Sequence, residues 1–118
     1  MAYNLHLADR ITDNLKSRNV SFEEKKMFGG LCYLVDDKMC IGIIKDDMMA
    51  RVNPEIESEL LLKTGARPMD FTNRPMKGYL YVDVAGYENE DDLNFWIDQC
   101  LEFNPLAKSS KKKKKDNS

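Results

Sequence analysis

The chain has one histidine, three cysteines and no apolar run approaching the ~20 residues that a membrane-spanning helix requires. A lone histidine, His6, leaves too few ligands for zinc and little base chemistry for a Ser, Cys or Thr nucleophile. Three cysteines with no CxxC spacing do not make a disulfide framework, and Cys32 and Cys100 read as buried free thiols. The opening MAYNLHLADR lacks the basic and apolar regions of a secretory signal, so a cytoplasmic location is expected. Gly29-Gly30 leads into a strand and has no GxxxxGK[ST] context, so it is not a phosphate loop. Neither a cofactor nor a metal site is expected.

Charge is unevenly spread. Residues 108–118 hold six lysines and one aspartate, a net of +5, which leaves residues 1–107 at −7 within an overall −2. The low-complexity end SSKKKKKDNS reads as a disordered basic tail, giving one domain over 1–106 and a tail over 107–118.

The densest apolar stretch, MFGGLCYLVDDKMCIGIIKDDMMARV from Met27 to Val52, reads as three antiparallel strands joined by acidic turns. With Asp37 and Lys38 in the first turn, Leu34 faces Ile41 and Cys32 faces Ile43. With Asp46 and Asp47 in the second, Ile44 faces Met49 and Ile43 faces Ala50. This pairing puts Cys32, Leu34, Ile41, Ile43, Ala50 and Val52 on a core face. Tyr33, Val35, Cys40, Gly42, Ile44, Met49 and Arg51 fall on a mixed reverse face.

Around this centre, Leu5, Ala8, Ile11 and Leu15 predict a helix over about 5–18, capped by Asn4. Val20 and Phe22 anchor a connector before Glu23. Asn53-Pro54 starts a second helix, in which Glu55, Glu57 and Glu59 suit the positive helix end. ARPMDFTNRPM repeats Arg-Pro-Met and reads as a short strand and turn, followed by a strand from Tyr79 to Val84. Leu93, Trp96, Ile97, Cys100 and Leu101 then mark an amphipathic helix that begins near Asn89 and stops at Asn104-Pro105.

Three surfaces stand out. Tyr33, Val35, Ile44, Met49 and Arg51 form a half-apolar sheet face suited to a protein partner or a second copy. Arg67, Asp70, Arg74 and Lys77 make a basic loop, read either as an internally paired loop or as a carboxylate or phosphate site. Lys111, Lys112, Lys113, Lys114 and Lys115 attract nucleic-acid phosphates without reading sequence, or simply solubilise the chain. The carboxylate pairs Asp36/Asp37 and Asp46/Asp47 sit in turns, where aspartate has backbone reasons to be. The reading is therefore a non-catalytic module, with nucleic-acid binding through the tail, or a small-ligand or enzymatic role at the basic loop, as alternatives.

MFGGLCYLVDDKMCIGII, ARVNPE and GARPMDFTNRPMKGYLYVDV together resemble the N-terminal domain of the TfoX/Sxy family, over about residues 5–104. The resemblance implies an α+β fold of order α-β-β-β-α-β-β-α, a two-layer arrangement with an antiparallel sheet and helices on one face. It implies a bacterial regulator: the proteins that name the family promote competence by acting on transcription alongside a cyclic-AMP receptor protein. Those regulators carry a further C-terminal domain, so a single-domain member is expected here. No catalytic residue is implied.

Overall fold

Two helices with strong local signals frame the molecule. In this computed structural model, which describes residues 3–27, 29–71 and 74–107, α1 spans Leu5–Ser17 and α4 spans Glu90–Phe103. The side chains of residues 27, 70, 71 and 74–77 lie outside the description. Each helix begins at an asparagine whose side chain accepts a backbone N–H: Asn4 from Leu7 and Asn89 from Asp91. Their apolar stripes, Leu7, Ala8, Ile11 and Leu15 on one and Leu93, Trp96, Ile97 and Cys100 on the other, enter the same core.

Between them the chain forms β1 (Glu23–Met27), β2 (Gly30–Val35), β3 (Lys38–Ile44) and β4 (Asp47–Arg51). A single turn at Pro54–Ile56 runs into the short α2 (Glu57–Leu60), then β5 (Ala66–Phe71) and β6 (Arg74–Val82). A one-turn α3 (Val84–Tyr87) precedes α4. The strands make one antiparallel sheet of order β1-β2-β3-β4-β6-β5. The α+β class and the antiparallel sheet with helices on one face stand as expected. Two elements are additional: β1, where a connector was expected, and α3, where the last strand was expected to continue to Val84.

The register of the first hairpin corrects the face assignment. Its turn is Asp36-Asp37, both with positive φ (56° and 63°), as a two-residue hairpin loop requires. That shift alone would keep the faces. Next to it, however, Leu34 pairs with Met39 while Tyr33 pairs with Ile41, so Cys40 is an extra, bulged residue. One extra residue exchanges the faces of β2. Tyr33 is fully buried in the helix-side core, Val35 packs against that core, and Cys40 is buried in it. Cys32 and Leu34 lie on the reverse face.

The second hairpin also turns elsewhere, at Lys45-Asp46, with Ile41 opposite Ala50. Here the displacement is two residues, a full side-chain period. Ile41, Ile43, Ala50 and Val52 therefore remain in the core, and Met49 and Arg51 remain on the reverse.

Candidate functional site

Among the described residues, the helix-free face of the sheet is built by alternate residues of β2, β3, β4, β5 and β6. Cys32, Leu34, Met49 and Met69 form a second buried cluster there, and Met39, Ile44, Tyr79 and Tyr81 pack around it, partly exposed. Among the described residues no helix contributes to this cluster. Gly42 makes room at its centre: a methyl on its Cα would overlap the terminal carbon of Met49. Tyr79 lies opposite Arg51, and Tyr81 lies between Met49 and Arg67.

Each tyrosine carries an arginine. The Arg51 guanidinium is 5.3 Å from the Tyr79 ring centre and donates to the Met39 carbonyl at 3.3 Å. Arg67 is 5.2 Å from the Tyr81 ring centre and pairs with Asp47 at 2.7 Å. Such stacks orient the guanidinium while leaving its edge for acceptors. Of the residues expected to form the partner surface, Ile44, Met49 and Arg51 are on this face, whereas Tyr33 and Val35 are not. Tyr79, Tyr81 and Met39 also belong to it, and the alternation of GYLYV, with Leu80 and Val82 in the core, is the sequence signal for the two tyrosines.

The basic loop is a β-hairpin arm, with Asp70 opposite Pro75 and Phe71 opposite Arg74. Arg67 takes Asp47 as its partner, on β4. The side chains of Asp70, Arg74 and Lys77, and all of Lys111 to Lys115, lie outside the described residues. Beyond the arm, β6 is tied down at Gly78, whose N–H donates to Glu57 Oε1 at 2.9 Å and whose carbonyl accepts from Val52 at 2.7 Å. Glu57 thus anchors a strand as well as suiting its helix end.

Three further features lie elsewhere. Arg10–Glu90, Asn14–Asn94 and Arg18–Asp98 join α1 to α4 as three successive rungs. An open crevice of about 520 Å³ lies at the end of α4, with Pro54, Tyr79, Phe103 and Leu106 among its walls. His6 is exposed in the first turn of α1.

Among the described residues four groups have displaced acidities, all upward. Burial pushes the Tyr33 hydroxyl up to about 12, while it shares a 3.0 Å hydrogen bond with Thr12. Burial raises Tyr87, whose hydroxyl donates to the Asp46 carbonyl, with the nearby Asp46 and Asp47 charges acting the same way. It also raises the Cys32 thiol, and raises Cys100 well above the usual thiol range, where the Cys40 thiol is its neighbour. A thiol shifted this way is a poorer nucleophile at neutral pH. Among the described residues no three His, Cys, Asp or Glu side chains gather as metal ligands, and no helix is long and apolar enough to cross a membrane.

Neither a curated protein nor a solved structure matches the chain. The profile of the TfoX N-terminal domain matches residues 14–104, a span holding the strands of both faces and the whole of α4. On that match the chain belongs to the TfoX N-terminal domain family.

Proposed function

We propose that this chain is a non-catalytic interaction module of regulatory type, and that its helix-free sheet face receives a protein partner, in the first instance a second copy of itself. The carrying observation is the makeup of that face. Met39, Ile44, Tyr79 and Tyr81 stand partly exposed around a buried apolar floor, with Arg51 and Arg67 stacked beside them. Methionine, tyrosine and arginine are enriched where proteins meet, and aromatic and arginine anchors carry much of the binding energy. A role in regulating transcription, which the proteins that name the family have, is consistent with a module that works by contact.

The test is light scattering across a concentration series, with Ile44→Asp as the probe. The variant is expected to weaken self-association by about tenfold or more while its circular dichroism stays native. Wild type that stays monomeric at high concentration, or an Ile44→Asp variant that associates equally well, would overturn the proposal.

A further inference from the structure

Strand β1 is an edge of the sheet, hydrogen-bonded to β2 on one side. Its first four residues, Glu23-Glu24-Lys25-Lys26, are all exposed. Charge on an edge strand normally discourages further pairing, since a copy or another strand meets unmatched charge. The order of charges here does something more selective. Residues opposite one another in an antiparallel pair share a face. Glu24 lies opposite Tyr33 and Lys26 opposite Leu31, so both point to the helix side; Glu23 and Lys25 point to the reverse. Each face of β1 therefore carries glutamate and lysine two residues apart.

We infer that β1 pairs antiparallel with β1 of a second copy, joining two six-stranded sheets edge to edge about a two-fold axis at Lys25. An axis normal to the sheet keeps each side chain on its own face, so only registers whose paired numbers sum to an even value are allowed. Full overlap of Glu23–Met27 with itself centres the pairing on Lys25. Glu24 of each copy then faces Lys26 of the other, giving two opposite-charge pairs on the helix side. On the reverse side the two Lys25 side chains diverge, each toward the diagonal Glu23 of the other copy. A same-sign edge would repel its copy, and an uncharged edge would accept any strand. This one discriminates in favour of its own sequence, combining edge protection with self-recognition.

This contact goes beyond the function proposed above and uses a different surface. A single five-residue pairing is small, so the association is weak and salt-sensitive. The experiment is sedimentation equilibrium at low ionic strength, with every chain carrying Ile44→Asp so that the face-to-face contact does not decide the result. The parent chain is expected to dimerise at high concentration. Glu24→Lys and Lys26→Glu, each added alone, place like charges opposite and weaken the dimer by about tenfold. An equimolar mixture of the two restores opposite charges at both positions, and so recovers a heterodimer within about threefold of the parent. Because recovery requires both variants to be folded, it also controls for misfolding. Single variants as tight as the parent, a mixture no tighter than its components, or a monomeric parent would overturn the inference.

Discussion

Tyr33 shows how much one side chain decides. Its ring lies in the helix-side core, 5.6 Å from that of Phe22, and its hydroxyl reaches both the Ala8 carbonyl at 2.9 Å and Thr12. Tyr33→Phe leaves the ring and removes these hydrogen bonds, a loss of about 1 kcal/mol at neutral pH, read from urea unfolding. The same site sets an alkaline limit. The folded state holds the Tyr33 hydroxyl neutral up to about 12, above the ordinary tyrosine value of 10. Its stabilisation is therefore complete below pH 10 and is lost as pH rises through 12. The urea midpoint should fall more steeply between those values in wild type than in Tyr33→Phe. Tyr87, shifted the same way, leaves a residual slope in the variant. Equal slopes would count against this account. In the sequence, Tyr33 reads as outward-facing because its neighbours alternate cleanly, and nothing beside it signals the bulge seven positions later.

At the scale of elements, what was legible was local. The asparagine caps and the three-and-four spacing of Leu, Ile and Trp specify α1 and α4 with little help from the rest of the fold. The strands of the central hairpins were equally plain, but their register was not. The extra residue at Cys40 lies in the core beside Cys100 of α4, a contact made across the fold and invisible along the chain. β1 was missed for a related reason: EEKKM has no apolar alternation, and pairing with β2 is what makes it a strand. Gly29, just before β2, and Gly30, its first residue, are needed for different reasons. Gly29 takes φ = 75° with open space around it, whereas a methyl on Gly30 would overlap the Ile43 carbonyl oxygen. Gly30→Ala is therefore expected to cost about 2 kcal/mol or more, and Gly29→Ala about 1 kcal/mol, by thermal or urea unfolding. Reversal of that order would contradict the packing described for β2 against β3.

Across the whole molecule, charge separates body from tail. Removing residues 108–118 takes away +5 and leaves −7. If the lysines are the only nucleic-acid contact, the shortened chain keeps its melting temperature and shows no gel shift with DNA or RNA in low salt. The full chain would then lose affinity with a log–log salt slope of about −4.5 for five duplex phosphate contacts. Binding that survives truncation would move the contact to the folded body, where Arg51 and Arg67 are the first residues to substitute. The helix layer has a consequence of its own. The rungs between α1 and α4 join residues 80 positions apart, and both helices cover one core. During synthesis α1 can meet β2 through Tyr33 once that strand is made, but its other neighbour in the helix layer, α4, comes some 80 residues later. Until α4 is made the sheet lacks the cover of Leu93, Trp96, Ile97 and Cys100, so premature stops before α4 should yield insoluble fragments, not a smaller working unit.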